Sequence, residues 1–263
     1  MTDDVFEQDD DLEEWEPSDR RVVLVTGASC GIGAATAVLA ARRGWNVVVN
    51  YASNAAAADK VVEQCVEAGV DAFAIGADVA DEQAVVALFE EVDDQYGRLD
   101  AVVNNAGVLG QQGTFDTFDG DRLRWVVEVN VLGAMYVARE AAKRMRAAES
   151  GTIVNVSSRA STLGSANEYV DYAASKGAVD TLTTGLAVEL GPFGVRVNCV
   201  RPGPIHTDIH ASGGEPNRID RVKANIPMGR GGHVDEVANT IVWLMSDEAS
   251  YVSGALIDVA GGR

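Results

Sequence analysis

Tyr172 and Lys176 stand four residues apart in Tyr172-Ala173-Ala174-Ser175-Lys176, with Ser157 and Ser158 paired upstream. Residues at i and i+4 share a helix face, so the phenol and the ammonium point into one space. A phenol is a poor acid–base group near neutral pH until a neighbouring cation lowers its pKa. The pair could then give a proton to a carbonyl oxygen or take one from an alcohol. Alone, Tyr-x-x-x-Lys is a common peptide of packed, solvated helices. Here it has company.

Helices and strands alternate along the chain to carry these groups. Val22–Val25 is a β-branched run, followed by glycines and the apolar-periodic stretch 32–43. Strand-like runs recur at 47–49, 73–75, 101–103, 153–156, 195–200 and 256–259. Helical patterns cover 55–68, 82–96, 125–145, 169–190 and 234–246. Wholly apolar strands between helices predict a parallel sheet covered on both faces. The expected fold is α/β, a single doubly wound Rossmann-type domain of about seven strands over residues 21–263. Residues 203–233 break the rhythm with Pro204, Pro216, Pro227 and several glycines. A long aperiodic segment after a strand's carboxyl end predicts a flap over substrate.

Thr26-Gly27-Ala28-Ser29-Cys30-Gly31-Ile32-Gly33 joins the first strand to the first helix. Glycine lets backbone approach a phosphate, and a helix N-terminus offers N–H groups and a partial positive charge. In this position the stretch reads as a dinucleotide loop. Further along stand Asp78-Val79, Asn104-Asn105-Ala106-Gly107, Asn130, Ser157-Ser158, Tyr172…Lys176 and Pro202-Gly203-Pro204-Ile205-His206-Thr207. In this order, on these elements, the chain resembles the short-chain dehydrogenase/reductase family over about residues 21–263.

The resemblance implies an NAD(P)-dependent oxidoreductase that interconverts a secondary alcohol and a ketone. Tyr172 would be the acid/base, and Ser158 would polarise the substrate carbonyl. Lys176 would bind the nicotinamide ribose and lower the tyrosine pKa, and Asn130 would hold a water connecting the lysine to solvent. Gly27, Ser29, Cys30, Gly31, Ile32 and Gly33 would hold the pyrophosphate and adenosine ribose. Asp78 and Val79 would flank the adenine, and Asn105, Ala106 and Gly107 would line the ribose. Pro202 and Gly203 would also bind the cofactor, and Ile205 and Thr207 would contact its carboxamide.

Two departures from the family pattern stand out. Ser158 precedes Tyr172 by fourteen residues, one more than the family leads one to expect, so a longer loop is predicted. Ser157 is the alternative to Ser158. Tyr169 is a competing tyrosine, but Ala173 stands where its cation would be, so it is expected to pack or to line the pocket. The second strand ends Asn50-Tyr51-Ala52-Ser53-Asn54. No carboxylate there repels a 2′-phosphate, which favours NADP over NAD, with Asn50, Tyr51 and Ser53 near the adenosine ribose.

The net charge is −19. Residues 1–20 hold ten acidic side chains against Arg20 alone, and such a leader is expected to be a mobile arm. Seventeen arginines accompany four lysines, which with the acidity fits either a high-salt setting or a GC-rich genome. The acidity opposes nucleic-acid binding. No apolar run is long enough to cross a bilayer and no secretory signal is visible, so a cytoplasmic protein is expected. Cys30, Cys65 and Cys199 are scattered and read as buried thiols. His206, His210 and His233 form no metal pattern, and no metal is expected.

Two substrate classes compete: small sugar- or polyol-like ketones, and 3-oxoacyl thioesters. Acidity disfavours an acidic carrier protein, unless the arginine-rich stretch 139–146 is exposed. A dinucleotide-sensing regulator without turnover is the reading from another class, although such a protein should have lost the Tyr, Lys or Ser. The family resemblance also implies a homotetramer built on the helices through 125–145 and after Tyr172.

Overall fold

A computed structural model describes residues 20–263, so the acidic arm expected over residues 1–20 lies, Arg20 apart, outside the described residues. Seven strands are formed: β1 (Val22–Val25), β2 (Asn46–Tyr51), β3 (Ala72–Gly76), β4 (Ala101–Asn104), β5 (Gly151–Val156), β6 (Val195–Pro202) and β7 (Leu256–Val259). They pair in parallel in the order β3-β2-β1-β4-β5-β6-β7. The helices are α1 (Gly31–Arg42), α2 (Ala55–Glu67), α3 (Glu82–Tyr96), α4 (Gly120–Val127), α5 (Ala134–Ala148), α6 (Ala160–Leu163), α7 (Val170–Leu190), α8 (Ile209–Ser212), α9 (Arg218–Val222) and α10 (Val234–Met245).

The apolar character of β1 follows from its place at the centre. Val23 and Val25 face a layer that contains Ala37 and Ala41 of α1, Val61 of α2 and Ile241 of α10. Val22 and Leu24 face the opposite layer, with Leu88 and Phe89 of α3 and Val137 and Met145 of α5. All four β1 side chains are fully buried, each contributing about 1.5–3 kcal/mol relative to exposure. The result is the doubly wound sheet that the sequence predicts.

Strand order reverses between β1 and β4. Chains leaving the two strands diverge to opposite faces, which opens a crevice at their carboxyl ends where ligands bind in such sheets. The glycine loop after β1 and the Asn105–Gly107 turn after β4 both lie on that crevice.

The helix expected over 125–145 differs from its prediction. It starts at Gly120, ends at Ala148, and passes through a π-helical stretch, Glu128–Gly133. A Cβ at Gly133 would lie 2.8 Å from Val79 Cγ2 and 3.0 Å from Val79 O, so the helix runs hard against the chain after β3. One extra residue in a turn leaves no mark in a 3.6-residue apolar pattern. The flap is also more ordered than its aperiodicity implies, containing α8 and α9 and a parallel bridge between Ile205 and Gly232.

Candidate active site

The glycine loop is shaped by contacts that no side chain would permit. Gly27 has φ +61, and a Cβ there would come within 2.9 Å of Ala106 Cα. A Cβ on Gly33 would sit 2.5 Å from Gly27 O and 2.6 Å from Asn105 Nδ2. Asn105 in turn donates from Nδ2 to Thr26 O at 2.9 Å and to Gly27 O at 3.2 Å. Buried Thr26, which the sequence reading left without a role, accepts at Oγ1 from the N–H groups of Asn105 and Ala106. The β1 and β4 loops are thereby locked together.

At the start of α1 no side chain caps the helix and no acid occupies the first turn. This contrasts with α3, where Asp81 Oδ1 accepts from Gln83 and Ala84 N–H, and with α4, capped by Asp119. An uncapped N-terminus behind glycines is a fitting cradle for a pyrophosphate. A dinucleotide would be held by Gly27, Ser29, Gly31, Ile32 and Gly33. The would-be Cβ of Gly31 lies 3.6 Å from Thr207 Cγ2, so the base of the flap closes over this loop.

Other expected cofactor residues have mixed placements. Asp78 and Ser53 are exposed at the crevice side, and Val79 is buried. Asp78 Oδ1 accepts from Ala80 N–H, shaping its own turn. Tyr51 packs its ring over Gly76. Asn50 requires correction: it is 1% exposed and turned inward. Its Nδ2 donates to Ala77 O at 3.0 Å and its Oδ1 accepts from Gly27 N–H at 3.3 Å, so the side chain braces the loops and cannot reach a ribose. Cys30 also departs from expectation: Cys65 and Cys199 are buried, whereas Cys30 is exposed at the start of α1.

Tyr172, Ser158 and Lys176 line one cavity of about 300 Å3 with Asn105, Gly107, Pro202, Gly203, Ile205 and Thr207. The start of α7, which carries the tyrosine, is tied down by Arg122: its Nε meets Asp171 Oδ2 at 2.7 Å while Asp171 Oδ1 accepts from Tyr172 N–H at 2.9 Å. Ser158, whose Oγ accepts from Ala160 N–H at 3.1 Å, stands beside the Tyr172 phenol and acts to lower its pKa. Ser157 is spoken for, its Oγ donating to Lys176 O at 2.9 Å from a fully buried position. Between Ser158 and Tyr172 the chain forms the short helix α6 and then a loop with Ser165 and Asn167 at positive φ.

The electrostatics differ from the simple Tyr/Lys picture. Burial raises the Tyr172 phenol above its ordinary value, opposed by the Ser158 hydrogen bond and by the Arg218 charge. Lys176 donates to Val156 O at 2.8 Å, and its Nζ lies 5.7 Å from the Tyr172 ring centroid. Burial pulls the ammonium down to about 8, with Cys199 and Asp180 acting against the fall. Two cations thus surround the phenol, Lys176 beside its ring and Arg218 further off, with the Arg218 charge the smallest of the named influences on its pKa.

Asn130, on the π-helical stretch, does not line the cavity. It brackets the neighbouring loop, with Oδ1 accepting from Val108 N–H at 2.8 Å and Nδ2 donating to Val108 O at 3.0 Å. A Cβ on Gly107 would lie 3.2 Å from Asn130 Oδ1 and 3.3 Å from Lys176 Nζ, which places asparagine and lysine on either side of this glycine. Tyr169 is buried and donates to Gly213 O at 3.2 Å, packing against the flap with Arg218 over its ring. Among the described residues no cluster could hold a metal, and His206 simply stacks on His233. No helix of the described residues is long and apolar enough to cross a membrane.

Known proteins resemble this chain over most of its length. Residues 27–263 match a family model described as enoyl-(acyl carrier protein) reductase. An uncharacterized oxidoreductase of Escherichia coli K12, YgfF, is 56% identical over 245 residues, covering 92% of this chain and 99% of that protein. The crystal structure of a levodione reductase superposes with a TM-score of 0.87 at 33% identity, covering 92% of this chain and 96% of the other. An NAD+-bound xylitol dehydrogenase gives 0.86 at 30% identity, covering 92% and 98%.

Proposed function

Because this chain belongs to the short-chain dehydrogenase/reductase family and is an NAD(P)-dependent oxidoreductase acting on CH–OH donors, we propose that it interconverts a small, oxygen-rich ketone and the corresponding secondary alcohol with Tyr172 as its acid/base. The single observation that carries this reading is the convergence of Ser158, Tyr172 and Lys176 on one cavity beside the glycine loop.

A bound nicotinamide supplies or accepts the hydride. The protein's own groups supply orientation and the proton. Ser158 donates to the carbonyl oxygen and steadies the charge that grows there. Tyr172, held protonated by burial, delivers its proton to that oxygen during reduction and recovers it during oxidation. Lys176, anchored on Val156 O, grips the ribose hydroxyls. Asn130 holds the Val108 turn in place and, through it, the wall on which Lys176 rests; a water at this point would complete a path for the proton.

NADP is the proposed cofactor, because no carboxylate ends β2 and Ser53 is exposed there. NAD is kept as the second reading because the xylitol dehydrogenase neighbour holds NAD+. Following nicotinamide fluorescence while titrating NADPH and NADH separately decides it. A dissociation constant at least about tenfold lower for NADPH is expected, and the reverse order would overturn the assignment.

A small ketone is favoured over a carrier-bound thioester. Two of the three arginines that could have greeted an acidic carrier are already neutralised: Arg139 pairs with Glu82 and Glu140, and Arg144 with Asp93 and Glu140, while Arg146 stacks on Phe193. We also propose a cytoplasmic homotetramer, supported by the exposed apolar side chains Trp125, Val127, Leu132 and Met135 along α4 and α5 and by Val188 on α7.

A further inference from the structure

The catalytic end of the cavity accounts for Ser158, Tyr172 and Lys176, but not for the charged group on the opposite wall. Arg218, on α9 of the flap, lines the same cavity as the reacting groups. Its guanidinium is held in place, with Nη2 2.6 Å from Glu168 Oε2 and the plane 4.8 Å over the Tyr169 ring. The side chain is 13% exposed. A guanidinium has five N–H donors in a rigid fork. Glu168 takes one edge and the Tyr169 phenol lies against the group, so these partners do not use all five donors of a side chain that lines the cavity.

The charge around Arg218 is balanced. Glu168 also meets Arg221 at 2.6 Å, and Arg221 meets Glu215 at 2.5 Å, so two arginines face two glutamates. A cluster with donors but no net charge is suited to a neutral oxygen and itself offers a carboxylate or phosphate no excess attraction. Leu109, Leu163 and Ile209 give the cavity apolar wall, while Arg159, His210 and Arg263 border it as further polar groups.

We propose that Arg218 is a specificity residue that binds a second, neutral oxygen of the substrate, so that the enzyme selects hydroxy-ketones and their diols over simple ketones and over anionic ones. This rests on the ketone–alcohol reading given above. Selection arises because burying the guanidinium against a substrate lacking that oxygen leaves donors unpaired, a loss that a hydrogen-bonding site turns into discrimination.

The test measures kcat/KM for 4-hydroxycyclohexanone, cyclohexanone and 4-oxocyclohexanecarboxylate with the wild type, Arg218→Leu, Arg218→Lys and Glu168→Gln, beside cofactor affinity for each. The wild type should prefer the hydroxy-ketone over cyclohexanone by at least about tenfold, as expected when a buried donor set is otherwise left unpaired. Arg218→Leu should erase most of that ratio, chiefly through KM, with cofactor affinity kept; Arg218→Lys should restore part of it. Glu168→Gln leaves the cluster one positive charge in excess and should raise the relative rate on the carboxylate by at least about fivefold, an effect that a purely structural role for the cluster would not produce. An unaltered selectivity ratio in both Arg218→Leu and Glu168→Gln would overturn the proposal while leaving the ketone–alcohol reading intact. Cofactor binding with no turnover of any of the three compounds by the wild type would count against that reading itself and remove the proposal with it.

Discussion

Lys176 is buried and Tyr172 half-buried, and desolvation acts on them in opposite senses. The phenol is raised and the ammonium lowered, because each loses its charged form's solvation. A phenol kept protonated at neutral pH is ready to reduce a ketone, whereas alcohol oxidation needs the phenolate and should climb with pH. For Lys176 the sign is equally definite. Its folded value of about 8 lies below the ordinary 10.5, so below pH 8 the folded protein carries the full cost of the buried charge. Lys176→Met should therefore be more stable than the wild type at pH 7, on the order of 2–3 kcal/mol, even though catalysis suffers. Thermal unfolding across pH checks this: the variant's advantage should shrink as pH rises from about 8 towards 10.5, where the wild-type lysine is neutral when folded. A variant less stable than wild type at pH 7 contradicts it.

At the scale of the elements, the site exists because β1 and β4 end at the same crevice and their loops interlock through Thr26 and Asn105. Gly33 is the tightest point, leaving no room for a methyl group between Gly27 O and Asn105 Nδ2. Gly33→Ala must push these loops apart, and overpacking of this kind costs about 1–3 kcal/mol. A fall in thermal midpoint together with at least about tenfold weaker dinucleotide binding is expected from calorimetry of the variant, and unchanged affinity would show that the loop is not the cradle. The loop was readable because it depends on local punctuation, a β-branched run followed by glycines and an apolar-periodic helix. Asn50 was misread for the opposite reason. Its position at the end of β2 is local, but its inward orientation is decided by the carbonyls of Ile75 and Ala77 from a neighbouring strand. The π-helical stretch around Asn130 was hidden too, since it is set by the close approach of Gly133 to Val79.

Across the whole molecule, the parallel sheet of about seven strands and its covered faces were legible in the alternation of apolar strands and helices, but strand order and long-range electrostatics were not. Arg218 reaches the Tyr172 environment from the flap, and its partner Glu168 lies fifty residues upstream; no spacing rule joins them. Cys30 illustrates the same limit, since exposure at a helix start does not follow from residue type. The apolar side chains left open on α4, α5 and α7 belong to this scale as well. Light scattering should give four times the mass of the 27.7 kDa chain at micromolar concentration, and a monomer would refute the tetramer.

The account turns on Tyr172, and the most direct measurement is steady-state turnover of Tyr172→Phe on a panel of ketones and alcohols, with cofactor affinity measured on the same preparation. Removing one hydroxyl from a packed ring should leave dinucleotide binding within about twofold and lower kcat by at least about 10²-fold, the contribution of a positioned acid–base group. A variant that binds the cofactor and turns over as fast as the wild type would contradict the assignment of Tyr172 as the proton carrier.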